Sequence, residues 1–135
     1  MSSSSRKNFE ISEEITEYIK YLSKRIDIKA VILFGSLARG DNTRLSDADL
    51  FIVSDDFPDN FRKRLDLLWE KKPLNVDVLG WKTWEIKEKI YRAFILNVLT
   101  EGKVIYGDAT YFKNLAKDFI KKRKLVKKTF GYIKK

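Results

Sequence analysis

The sequence contains neither cysteine nor histidine. That double absence excludes disulfides, cysteine or histidine zinc sites, thiol nucleophiles, Ser-His-Asp triads and imidazole acid–base chemistry. Any catalysis has to run on carboxylates, lysines, hydroxyls or metals held by oxygen. Long apolar runs are missing too. No stretch approaches the roughly 20 apolar residues of a membrane span or the apolar centre of a signal peptide, and residues 1–5 are polar, so a cytoplasmic protein is expected. What 135 residues of 44% apolar composition do permit is one domain with a real core. The expected division is a flexible N-terminus over residues 1–9, a domain over 10–115, and a basic C-terminal helix or tail of the same domain over 116–135.

Charge is distributed unevenly. Residues 1–115 carry 19 Lys+Arg against 18 Asp+Glu, whereas residues 116–135 carry 9 against 1, so the last segment supplies +8 of the net +9. Two readings of this tail stand side by side: a solvated basic helix, or a docking segment for a partner protein or nucleic acid. Phosphate contacts from such a tail would be blind to sequence and sensitive to salt. Val126, Phe130, Tyr132 and Ile133 among the lysines favour a protein partner over nucleic acid, because an amphipathic segment can lay its apolar side in a groove.

Apolar spacing predicts the elements. Ile11, Ile15, Tyr18, Ile19, Leu22 and Ile26 recur at helical intervals behind a Ser12 cap, with Glu13 and Glu14 where the helix dipole favours acids. Residues 30–34 form a continuous apolar run, read as a strand buried on both faces and stopped by Gly35. Residues 49–53 give a second strand. Phe61, Leu65, Leu68 and Trp69 mark a helix that Pro73 is expected to end, and residues 74–81 a third strand with Asp77 in its middle. One long helix is expected from a Thr83 cap to Gly102, striped by Ile86, Ile90, Ala93, Phe94 and Val98; then a short strand, KVIYG, and a last helix from Asp108 that fades into the basic tail. Trp69, Trp81, Trp84 and Phe94 read as packing residues. Strands interleaved with helices make an α/β domain.

The chemistry concentrates in FGSLARGDNTRLSDADLFIV, residues 34–53. Asp47 and Asp49, two apart on an extended segment, project to one face and set two carboxylates side by side. If the third strand lies beside the second, Asp77 adds a third; three clustered anions need a strong counter-charge. Oxygen-only ligands suit Mg²⁺, which completes its shell with water and phosphate oxygens. Gly35 permits a sharp turn and close backbone approach, and Ser36 would open a short helix whose amides and hydroxyl donate to an anion. The turn thus suits the phosphate tail of a nucleotide, and the aspartates suit the metals that bridge it. Each residue has a plainer reading: Asp77 as a structural cap, Ser46 as an Asx-like loop residue, Arg39 as a brace for Asp41.

This pattern, Gly35-Ser36 followed after ten residues by Asp47-x-Asp49, with Ala38-Arg39-Gly40, Ser46 and the later Asp77, resembles the minimal nucleotidyltransferases of the DNA polymerase β superfamily. The match is specific over residues 34–53 and at Asp77 and looser, by element order, to about Asp108. The resemblance implies a small mixed sheet flanked by helices and transfer of a nucleoside monophosphate from an NTP, here ATP, to a hydroxyl. It implies two Mg²⁺ ions on Asp47 and Asp49, with Asp77 binding the second ion and receiving or orienting the acceptor proton. Gly35 and Ser36 would grip the triphosphate, and Arg39 either neutralises it or braces the loop. Larger relatives present the acceptor on a second domain, for which this chain has little room. Minimal members commonly serve as antitoxins that AMPylate a tyrosine of a HEPN-type ribonuclease toxin. A small-molecule nucleotidyltransferase acting on an aminoglycoside-like hydroxyl, and a non-catalytic antitoxin or RNA-binding module, are the alternatives.

Overall fold

The computed structural model describes residues 13–34, 48–74, 76–123, 125–128 and 131–134. Helix α1 (Glu13–Ser23) begins with its two acids and turns Ile15, Tyr18, Ile19 and Leu22 inward. Strands β1 (Ala30–Phe34) and β2 (Ala48–Val53) follow, then α2 (Phe61–Trp69) and β3 (Val76–Trp81). After these come α3 (Thr83–Glu88), α4 (Ala93–Glu101), β4 (Lys103–Gly107) and α5 (Thr110–Arg123). The four strands stand in the order β3-β2-β1-β4, with β1 antiparallel to both β2 and β4 and β2 parallel to β3. This is the small mixed sheet expected. No described helix is long and apolar enough to cross a membrane.

Strand alternation divides the core into two layers. On one face Val31, Leu33, Leu50, Ile52, Val76 and Val78 pack against α1 and against Leu68 of α2. On the other, Ala30, Ile32, Phe51 and Val53 meet Ile86 of α3, Ile95, Leu96, Val98 and Leu99 of α4, and Phe112 and Ala116 of α5. Each fully buried large aliphatic contributes roughly 2 kcal/mol against the entropy of ordering the chain. Two glycines mark close approaches. A Cβ at Gly102 would stand 2.3 Å from Ile32, and Gly107 has φ +74° with Lys29 O only 2.2 Å from where its Cβ would be.

Three expectations need correction. The long helix from Thr83 is two helices, α3 and α4, separated by a turn at 89–92, and the residue capping α3 is Lys82. In one continuous helix Ile86 and Ile95 would lie about half a turn apart, on opposite faces. The break lets both enter one core layer. The basic tail does not continue as helix beyond Arg123: β5 (Leu125–Lys128) and β6 (Gly131–Lys134) pair antiparallel as a separate two-stranded sheet. Valine, isoleucine and aromatics among the lysines suit strands better than helix. And α2 stops at Trp69, with Glu70 as its C-cap, before Pro73 is reached.

Arg64 joins the elements around the parallel pair. It is only 6% exposed. Its guanidinium donates to Pro58 O at 3.0 Å, to Gly80 O at 3.1 Å, and as a two-pronged fork to Glu85 at 2.8 and 3.1 Å, with the Phe57 ring 5.6 Å away. Burial pushes the Glu85 carboxyl up, but the hydrogen bonds from Arg64 and the Lys82 amide and both neighbouring charges outweigh it and hold the carboxyl below its ordinary range. Other termini are tied in the same way. Asp55 accepts from Thr83 N at 2.7 Å at the start of α3, Asp108 accepts from Thr110 N at 2.9 Å at the start of α5, and Lys113 Nζ donates to Leu99 O at 2.8 Å at the end of α4.

Two outcomes are expected from these contacts. Glu85→Gln leaves Arg64 without its countercharge and costs about 2 kcal/mol at pH 7. Because the folded pKa lies below the unfolded one, this contribution is complete above the ordinary value of 4.5 and is lost as pH falls through the lowered one. Urea melts of the two proteins should therefore differ at pH 7 and converge in strong acid. The second outcome concerns Asp49, which stands opposite Asp77 in the parallel register. Like charges opposed on one face repel, so Asp77→Asn in EDTA should gain about 0.5 kcal/mol. A loss instead would mean that Asp77 makes a stabilising contact of its own.

Candidate active site

Strand alternation decides what faces the cleft. Val76 and Val78 of β3 are buried against the α1 and α2 layer, which turns Asp77 and Leu79 to the opposite face, where both are exposed. Asp49, half-buried on β2, shares that face with Phe51. Register carries the row across three strands: Phe34 pairs with Asp49, and Asp49 with Asp77. The adjacency of the second and third strands, on which a carboxylate pair depends, is thus present. Directly opposed side chains of neighbouring strands have Cβ atoms about 5 Å apart, close enough for both carboxylates to reach one cation.

Beside the pair, on the same face of the sheet, lies an aromatic cluster. The Phe34 ring meets Phe94 edge-on with centroids 5.5 Å apart, Phe51 lies 6.3 Å from Phe94, and Trp81 stacks on Phe51 at 5.9 Å and 12°. Trp81 Nε1 is buried with no hydrogen-bond partner among the described residues. A cleft of about 660 Å³ runs from Phe34 and Phe94 of this cluster over Asp49 and Asp77 to Trp69, Lys72, Val78 and Leu79. Because Val78 belongs to the other face, the cleft wraps around the outer edge of β3. Lys72 Nζ is fixed there, donating to Val76 O at 2.7 Å and Pro73 O at 3.3 Å.

Of the sequence-predicted residues, Asp49 and Asp77 come together in this cleft. Asp47, Gly35, Ser36 and Arg39 lie outside the described residues, and so does Asp41. Among the described residues no group of three metal-ligating side chains is assembled. The two carboxylates nevertheless suit a hard cation such as Mg²⁺, which takes one or two carboxylates and fills its shell with water and substrate phosphates. A further cavity of about 550 Å³ lies between α1 and residues 71–74. Its glutamates follow one another along a helix face, and its buried tyrosine, Tyr18, donates to Leu68 O, with burial pushing the phenol well up. It holds no carboxylates in strand register.

The packing role expected of the aromatics holds for Trp81, holds in part for Phe94, whose ring meets Phe34 and Phe51, and fails for Trp69 and Trp84. Trp69 is 54% exposed, Trp84 53% and Phe94 41%. Trp69 and Phe94 instead stand at the cleft, together with Lys72 and Leu79, which the sequence reading did not single out. The available signal was positional: Trp69 closes its helix immediately before the polar stretch Glu70-Lys71-Lys72.

Comparison with known proteins gives this arrangement a family. Residues 14–106 match the profile of the nucleotidyltransferase domain. A candidate protein adenylyltransferase of Methanocaldococcus jannaschii is 36% identical over 94 residues, covering 68% of this chain and 94% of that one. Among solved structures, the toxin-antitoxin MntA-HpeT aligns with TM-score 0.56 at 23% identity over 84% of this chain and 88% of its counterpart. A toxin-antitoxin crystallised with AMP-PNP aligns with TM-score 0.55 at 24% identity over the same shares. At those identities the structural likeness speaks for the fold. The profile match and the archaeal relative speak for descent, and by them the chain belongs to the nucleotidyltransferase domain family and is a nucleotidyltransferase.

Proposed function

We propose that this protein is a Mg²⁺-dependent protein adenylyltransferase that transfers AMP from ATP to a tyrosine hydroxyl of a HEPN-type toxin and acts as its antitoxin. The observation that carries the reading is the parallel register of Asp49 with Asp77, which gives a carboxylate pair on an open face of the sheet. Family enzymes use a nucleoside triphosphate and a divalent metal. The protein acceptor is supported by the name of the archaeal relative, and the toxin partner by the toxin-antitoxin neighbours.

In this reading Asp47 and Asp49 would hold the metals, and Asp77 would help to hold the second. When bound, Mg²⁺ supplies charge neutralisation to the attacking and leaving oxygens of an in-line displacement. Gly35 and Ser36 grip the triphosphate and Arg39 offsets its charge. The acceptor oxygen attacks the α-phosphorus, the bond from that phosphorus to the bridging oxygen breaks, pyrophosphate leaves, and the hydroxyl proton passes to Asp77. A carboxylate suffices for that last step if it stands within hydrogen-bond reach of the hydroxyl.

Incubation with α-labelled ATP, Mg²⁺ and the product of the adjacent reading frame, followed by intact mass, tests the reading. One AMP of added mass on the partner is expected, falling about 10³-fold with Asp49→Asn and with Asp77→Asn. Undiminished transfer by either variant would sink the assignment of the pair. Transfer to kanamycin with none to protein would move the acceptor to small molecules.

A further inference from the structure

The cleft has two ends of different chemistry. At the β1 end stand Phe34 and Phe94, edge to face, close to where β1 and β2 are joined. The far end lies past Asp77, at the outer edge of β3, where Trp69 and Leu79 present apolar surface and Lys72 is pinned by two carbonyls. Exposed apolar side chains gathered beside a carboxylate pair are unusual on a solvated surface and mark recognition.

We propose that Trp69 is the acceptor-specificity residue, its indole face receiving the aromatic ring of a protein acceptor while the acceptor hydroxyl reaches Asp77. The inference rests on the reading of Asp49 and Asp77 as the transfer site and deepens it. In that reading the nucleotide phosphates lie toward the β1–β2 junction, so the β3 end is left for the acceptor. Trp69 offers a flat apolar ring, more than half exposed, at that end. Aromatic pairing strengthens binding roughly two- to tenfold beyond area burial, enough to favour a ring over an aliphatic hydroxyl. The fixed Lys72 ammonium beside it disfavours a polycationic aminoglycoside and tolerates a neutral phenol. Lys72 has two of its three donors engaged by Pro73 and Val76, which leaves one for the cleft.

The test separates docking from turnover. In ¹⁵N-indole spectra the Trp69 signal, assigned by its loss in Trp69→Phe, is followed during titration with N-acetyltyrosinamide, N-acetylserinamide, kanamycin and Mg·AMP-PNP. The tyrosine amide is expected to move the signal, equally in wild type and Asp49→Asn, with little response to the serine amide or kanamycin. Transfer kinetics with the tyrosine amide complete it: Trp69→Ala raises the acceptor KM about tenfold with kcat and the ATP KM unchanged, and Trp69→Phe restores most of the loss. A Trp69 signal unmoved by the tyrosine amide to its solubility limit, or moved more by kanamycin or Mg·AMP-PNP, overturns the proposal. Loss of the Asp49 dependence of transfer would count against the site reading alone, since indole docking is read without turnover.

Discussion

A guanidinium buried to 94% cannot remain without countercharge and acceptors, and around Arg64 the protein supplies both. Its partners are the loop ahead of α2, the end of β3 and the first turn of α3. These are the pieces that must be in place for the chain to leave β2, cross over through α2 and return alongside as β3. Slippage of that return by one residue would turn Asp77 to the buried face and Val76 or Val78 outward. The contact that fixes the return lies on Gly80, at the opposite end of β3 from Asp77. Geometry at the cleft is thereby set from a distance, by a network with no part in the chemistry.

The carboxylate pair and the aromatic cluster place opposite demands on the same sheet end. Two like charges in register repel, whereas the rings of Phe34, Phe51, Phe94 and Trp81 attract one another beside them. Most of the buried apolar side chains lie in the two core layers, and the carboxylates stand outside both, so the groups that repel are kept apart from those that hold the fold.

Periodicity made most of the fold legible. The residues of β1 stand as their apolar pattern indicates; in α2 only Leu68 of the expected stripe is buried, and Phe61 and Trp69 are exposed. The adjacency of the second and third strands was implied by the family resemblance and not by spacing. The helix break was not legible because Ile86, Ile90, Ala93 and Val98 make one stripe while Ile95, Leu96 and Leu99 make another, and only a turn between them lets Ile86 and the second set share one buried layer. The tail misled for a related reason, since its charge drew attention from its strand-favouring residues. For the site, Asp49 and Asp77 were legible because a carboxylate amid apolar strand residues is costly and calls for a role. Trp69 and Phe94 were not, because an aromatic at a helix-face position has the same spacing whether it faces a core or a cleft.

β3 is the outermost strand on its side of the sheet, and two of the carbonyls turned away from β2, Gly80 O and Val76 O, are held by Arg64 and Lys72. A sheet margin with free backbone groups is a template for another chain, and here two cations occupy an acceptor near each end of it. Trp69 and Leu79 leave the same margin apolar. A visiting backbone that lay down there as a fifth strand would find those two acceptors already taken, so side chains reaching over the rim have the freer access.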